Sequence, residues 1–201
     1  RITYEGELPE AAVSVPFSEV YTGMQRGSLD CALVDPTTMV VGPKLVEVSS
    51  DVTEIPVGII IGASWIYNKS FWRGLPLEQR ETLMEQMVLA LARMEIGYEV
   101  KGNEGLEGSR AKGVNVGPPE KDLEEALSDF NKSFLDELPG AAAERFNIDA
   151  PEALLKDFLD RQEAWNERLA AVDIQDQEAI IGLLNEHIFS RIDIETYGMS
   201  D

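Results

Sequence analysis

The chain has 201 residues, 44% of them hydrophobic, enough to bury one full core or two small ones and far from a disordered composition. Its 37 acidic residues against 17 basic ones give a formal charge of −20, which excludes the basic footprint that nucleic acid or an anionic membrane needs and reads most simply as solubility. One cysteine rules out an internal disulfide, one histidine rules out a multi-histidine metal site or an HExxH motif, and no apolar stretch reaches transmembrane length, so no membrane insertion is expected.

Arg1 to Glu10 carries no signal-peptide pattern. Ala12 to Val15 alternates small and β-branched residues and predicts a strand, stopped where Pro16 removes a backbone donor. Ser18 is the expected N-cap of a short helix with Phe17, Val20, Tyr21 and Met24 at helical spacing. Gly27 is placed to end it in the left-handed conformation. Leu29 to Val34 predicts a second strand, with Asp35-Pro36 as its stop, and Cys31 inside it reads as a small core residue. A crossover of this length joins parallel strands and predicts half of a doubly wound α/β layer. Ligands of such layers sit beyond the carboxyl ends of the strands, so Phe17 and Asp35 are expected on one rim.

Pro16-Phe17-Ser18-Glu19-Val20-Tyr21, with Met24-Gln25-Arg26-Gly27 and Leu29-Asp30-Cys31-Ala32 after it, closely resembles the signature of the TRAP-type solute-binding proteins, the DctP-like family. A second stretch, Trp65 to Asn68, Phe71-Trp72 and Leu75-Pro76 before Glu78 and Arg80, is similar to the segment that opens the long helix of that family. The resemblance covers most of residues 13 to 140 and, more loosely, the C-terminal tail. It implies an α/β, periplasmic-binding-protein-like (type II) two-lobe fold with a long spine helix and a helical C-terminal part, the first lobe being largely absent from this chain. It divides the chain into a second ligand-binding lobe over 1–57, a hinge-crossing strand and spine helix over 58–112, and a strand with lobe-bridging helices over 113–201. It further implies a mature periplasmic receptor that is no enzyme and needs no cofactor, capturing a small organic acid and delivering it to the TRAP membrane permease subunits.

Further along, Thr37 to Val41 and Lys44 to Val48 read as short helical or loop pieces interrupted by Gly42-Pro43. Asp51 to Ala63, continued by Ser64 to Tyr67, is a β-branched run that predicts a strand buried on both faces. Pro76 opens the longest helix, with Leu83, Met87, Ala90, Leu91, Met94 and Tyr98 as its apolar face and Gly102, Gly105 and Gly108 as its end. Gly113 to Gly117 predicts a short strand, Glu120 to Leu138 an acidic helix broken by Pro139-Gly140, and Pro151 to Val172 and Asp176 to Ser190 two more helices. On the first of these two, Leu154, Leu155, Phe158, Trp165 and Leu169 form the apolar face.

No catalytic constellation assembles. Gly62-Ala63-Ser64-Trp65 lacks the second glycine of a nucleophile elbow, there is no phosphate-binding loop, and no metal ligands cluster. The candidate residues are ligand-binding ones, each with a plainer reading beside it. Phe17 matches the family aromatic that packs on the ligand, or it is a hydrophobic staple at the helix start. Arg1 invites comparison with the family's carboxylate-binding arginine, although the helix that precedes the motif in that family has no room between Ile2 and Ala11. Asp35 lies where the family has a polar ligand contact, or it is a turn aspartate before proline. An ionised Asp35 would favour a monocarboxylate carrying a donor over a dicarboxylate. Thr37 offers a hydroxyl at the rim or a helix cap, and Trp65 lines the cleft or packs a lobe face. A helical interaction or scaffold protein, whose α/β part is only structural, is the alternative from another class.

Overall fold

The computed structural model describes residues 13, 15–58 and 64–200. The chain is mostly helical, with one two-stranded parallel sheet among the described residues. It divides into two units, Arg1–Glu54 with Val100–Pro118 and Ile55–Glu99 with Pro119–Asp201. A single helix of 35 residues, α3 (Leu77–Ala111), contributes its last turns to the first unit and the rest to the second.

In the first unit, α1 (Phe17–Gln25) starts two residues earlier than Ser18 as its N-cap suggests. Pro16 is its N-cap, at φ −56 and ψ 138, and no side chain caps it. Gly27 takes φ 69, as expected of the residue that turns the chain out of the helix. Leu29 to Val34 is not a strand. Burial alternates as a pleat requires, with Ala32 and Val34 packed inward and Cys31 and Leu33 exposed, yet no strand among the described residues pairs with it. Period-two burial reports an extended backbone; only a partner at ladder distance makes it a strand. Cys31 is accordingly an exposed free thiol instead of a core residue. Val13 and Val15 are not in a strand either, and the rest of the Ala12 to Val15 expectation lies outside the described residues.

Two 3-10 turns follow, Pro36–Met39 and Leu45–Glu47, where short helical pieces were expected. β1 (Asp51–Thr53) then pairs in parallel with β2 (Asn115–Gly117), Val52 opposite Val116. The long strand expected from Asp51 stops at Thr53, because its partner runs out: Pro118 and Pro119 after β2 have no amide to donate. Ser64 to Tyr67 are likewise not in a strand, and Ile66 stands 90% exposed; 59–63 lie outside the described residues. Val20, Met39, Leu45, Val46 and Val114 form the core of this unit.

The glycines expected to end α3 do not end it. Gly102 and Gly105 are buried inside the helix, and a Cβ at Gly105 would sit 2.2 Å from the carbonyl oxygen of Pro36. Each glycine costs a helix about 1 kcal/mol relative to alanine. Here the missing side chains let the Pro36–Met39 turn lie directly on the helix and bury Met39 to 4% exposure. Ser109, fully buried, returns its hydroxyl to the Gly105 carbonyl at 2.7 Å.

In the second unit, Asn68 caps α2 (Lys69–Gly74), its side-chain oxygen accepting from the amides of Ser70 and Phe71 at 3.0 and 3.1 Å. The buried face of α3 centres on Val88 and Ala92, which pack with Ile180 and Leu184 of α6 (Gln177–His187), while Ala90 and Tyr98 of the expected stripe are exposed. α4 (Lys121–Phe146) runs straight through Pro139-Gly140, which the sequence marks as a break. Proline forfeits one backbone bond there, and the good helix formers on either side, Leu135 to Leu138 and Ala141 to Glu144, carry the helix across. α4 lies against α5 (Pro151–Ala170), and neither contains a buried residue. Leu154 and Phe158, expected on an apolar packing face, are more than half exposed.

The tail is strapped to α2 and the start of α3 by side-chain donors that reach main-chain carbonyls. The buried Trp72 indole donates to Tyr197 at 2.8 Å, the buried Arg80 guanidinium to Ile194 and Glu195 at 2.8 and 3.1 Å, and Arg73 to Ser200. The Tyr197 ring meets Trp72 edge-on, 6.3 Å between centroids.

Candidate functional site

A surface groove of about 530 Å³ opens in the first unit between α1 and the segment joining the two 3-10 turns. Val20 anchors α1 in the core, and Phe17, Ser18, Tyr21 and Thr22, with Phe17 and Tyr21 one turn apart, form one wall of the groove. Gly42, Pro43, Lys44 and Glu47 form the other. Two residues here hold left-handed backbone, Gly42 at φ 65 and Lys44 at φ 52. A Cβ on Gly42 would strain the backbone and reach within 3.8 Å of the Phe17 ring, so glycine keeps the groove clear.

The Tyr21 hydroxyl donates to Glu47 Oε2 at 3.1 Å and ties the two walls together. That hydrogen bond, with smaller contributions from desolvation and from the Glu47 charge, raises the Tyr21 phenol above its ordinary value of 10.0. The phenol stays protonated at neutral pH and donates to the Glu47 carboxylate. Across the floor Phe17, 54% exposed, offers an aromatic face, and Lys44 offers an ammonium with no ion-pair partner among the described residues. A cation, an anion, an aromatic ring and the Ser18 and Thr22 hydroxyls can hold a small polar molecule. None of these groups is arranged as a nucleophile with its base.

Of the residues singled out in the sequence, only Phe17 lines this groove. Asp35 is the N-cap of the Pro36–Met39 turn. Its carboxylate accepts from the Thr37 amide at 3.0 Å and from the Thr37 hydroxyl, while Thr38 donates to the Asp35 carbonyl at 2.7 Å. Asp35 and Thr37 are thus joined to each other in one half-buried cap. Trp65 belongs to the second unit and is 41% exposed. Arg1 lies outside the described residues. Sequence reasoning passed over Lys44 and Glu47, whose signal was faint: an unpaired lysine just after a Gly-Pro break in a strongly acidic chain. Among the described residues, no three or more His, Cys, Asp or Glu side chains are placed to hold a metal, and no helix is long and apolar enough to cross a membrane.

Residues 7–138 match the family model DctP, bacterial extracellular solute-binding protein, family 7. No curated protein and no solved structure matches the chain.

Proposed function

Since this chain belongs to the DctP family of bacterial extracellular solute-binding proteins, a family of binding proteins and not of enzymes, we propose that it is the periplasmic receptor of a TRAP transporter. In this role it captures a small organic acid and passes it to the membrane permease. The observation that carries the reading is the groove on α1, inside the matched residues, lined by both Phe17 and Lys44, which has no ion-pair partner among the described residues. An aromatic face for a carbon skeleton and a cation for a carboxylate are the two contacts an organic acid needs. Phe17, Asp35, Thr37, Trp65 and Arg1 remain the proposed ligand contacts, with Asp35 and Thr37 acting through the cap they share and the periplasmic-binding-protein-like two-lobe arrangement supplying the cleft. Thermal unfolding in excess carboxylate tests this: ligand at about 100 times its dissociation constant adds about 2.7 kcal/mol of stability. An unchanged melting temperature across a panel of carboxylates at saturating concentration would sink the reading.

A second reading has one observation behind it. The α4–α5 pair exposes Phe130, Phe134, Phe146 and Phe158, with Phe130 and Phe134 stacked at 6.1 Å, and such a face favours a helical interaction protein. Sedimentation of wild type against Phe134→Ser with Phe158→Ser separates the two. A mass that falls in the double variant supports an interaction face.

A further inference from the structure

We propose that the groove on α1 selects a small zwitterion, an amino acid with an apolar side chain, its carboxylate held by Lys44 and its ammonium by Glu47. The inference rests on the solute-binding reading above and narrows its ligand class. Lys44 and Glu47 lie three residues apart on one wall, Lys44 as the N-cap and Glu47 as the last residue of the Leu45–Glu47 turn, and no ion pair joins them. Opposite charges that near usually neutralise each other. Here Lys44 is the turn's N-cap in left-handed backbone, and the Tyr21 hydroxyl occupies one oxygen of Glu47. The carboxylate of Glu47 retains its other oxygen as an acceptor. Both charges are thus displayed, separately, to one cavity.

A plain monocarboxylate would satisfy Lys44 and leave Glu47 facing an apolar carbon chain. A dicarboxylate would bring a second negative charge toward Glu47, in a chain that already carries −20. An amine alone would answer Glu47 and be repelled by Lys44. Only a molecule carrying both charges pairs both walls, and its side chain then lies against the exposed Phe17 ring. The volume of about 530 Å³ accommodates a molecule of this size with water at the open side.

Leucine, isocaproate, isoamylamine and succinate share or vary one skeleton and separate these cases. Heteronuclear NMR titration of the full chain, followed at the Phe17, Tyr21 and Lys44 amides, registers weak as well as tight binding. Leucine is expected to saturate at roughly a tenfold lower concentration than isocaproate or succinate, the gain of one charge-assisted hydrogen bond. Glu47→Gln keeps the shape and an acceptor for Tyr21, and it should bring leucine to within about twofold of isocaproate. Lys44→Asn suits the left-handed backbone while removing the charge, and should weaken leucine and isocaproate alike. Isocaproate or succinate shifting the groove amides as tightly as leucine overturns the zwitterion while leaving a carboxylate receptor standing. If none of the four shifts a groove amide while the amide dispersion remains that of a folded chain, the solute-binding reading of the groove falls with it.

Discussion

The last turns of α3 and the α4–α5 pair use opposite materials for opposite ends. On the face formed by Gly102, Gly105 and Ser109, α3 presents little but hydrogen and a hydroxyl, and that face is buried, with a 3-10 turn laid on its backbone. α4 and α5 carry phenylalanines and leucines at helical spacing and bury no residue at all. Apolar content alone therefore does not locate the core of this chain. Close approach of backbone to backbone does, because a packed interior gains from every atom brought to contact distance and small residues permit the nearest approach.

The sharpest way to break this contrast is to truncate one apolar side chain in each region. Leu45, 1% exposed, should cost about 2–5 kcal/mol when replaced by alanine. Phe158→Ala, at a site 62% exposed, should stay within about 0.5 kcal/mol of wild type in urea unfolding. Equal losses would mean that α4–α5 buries its face against something in solution.

Adding a single methyl group probes the same difference from the other side. Gly105→Ala would push a Cβ into the Pro36 carbonyl, and backbone cannot swing aside as a side-chain tip can, so a loss of about 3 kcal/mol is expected. Gly140→Ala meets nothing within 4 Å in the middle of α4, and better helix propensity should stabilise the protein by about 0.5–1 kcal/mol. Urea midpoints that move in the same direction for both would refute the close-packing account.

The smallest expected effect concerns two exposed carboxylates, one in each region. Asp51 is held below its ordinary value of 3.8 by hydrogen bonds from Ser50 and then Asn115, at 2.6 and 3.0 Å. Asp157 on α5 is lowered chiefly by its hydrogen bond from Arg161 at 2.7 Å. A depressed carboxylate favours the folded state above its unfolded value and gives that up as pH falls through the folded one. Both should therefore contribute at neutral pH and lose it on acidification below about pH 4. High salt should flatten the Asp157 contribution, which rests on a partner charge, and leave that of Asp51, whose donors are neutral. Carboxyl NMR titrations at low and high salt check this, and equal salt sensitivity of the two would count against it.

Much of the helical skeleton was legible because helices announce themselves locally. Gly27 as a left-handed stop, the start of α3 after Pro76 and the Asn115–Gly117 strand after its glycine all follow from residues within a few positions. The errors share a cause. Leu29 to Val34 has the alternation of a strand without a paired neighbour among the described residues, Gly105 has the composition of a helix end without knowledge of Pro36, and Pro139 is a breaker outweighed by its flanks. In each case a distant or cumulative contribution decided the outcome. The site divides the same way. Phe17 could be read from its motif, whereas Lys44 and Glu47 become a wall only when α1 is laid across from them.

The strap over α3 has a consequence for the order in which the protein is made. Trp72 and Arg80 are synthesised more than a hundred residues before the carbonyls of Ile194, Glu195 and Tyr197 that receive their donors. While the chain grows from its N-terminus, the guanidinium of Arg80 has only water to answer it, and the start of α3 stays solvated. Only once residues 194–197 are in place can this end of the second unit close. Because the acceptors are main-chain oxygens, closure asks for the length of the tail and its turns far more than for its side chains. A chain cut before Ile194 would keep the start of α3 but lose the two carbonyls that receive the Arg80 guanidinium.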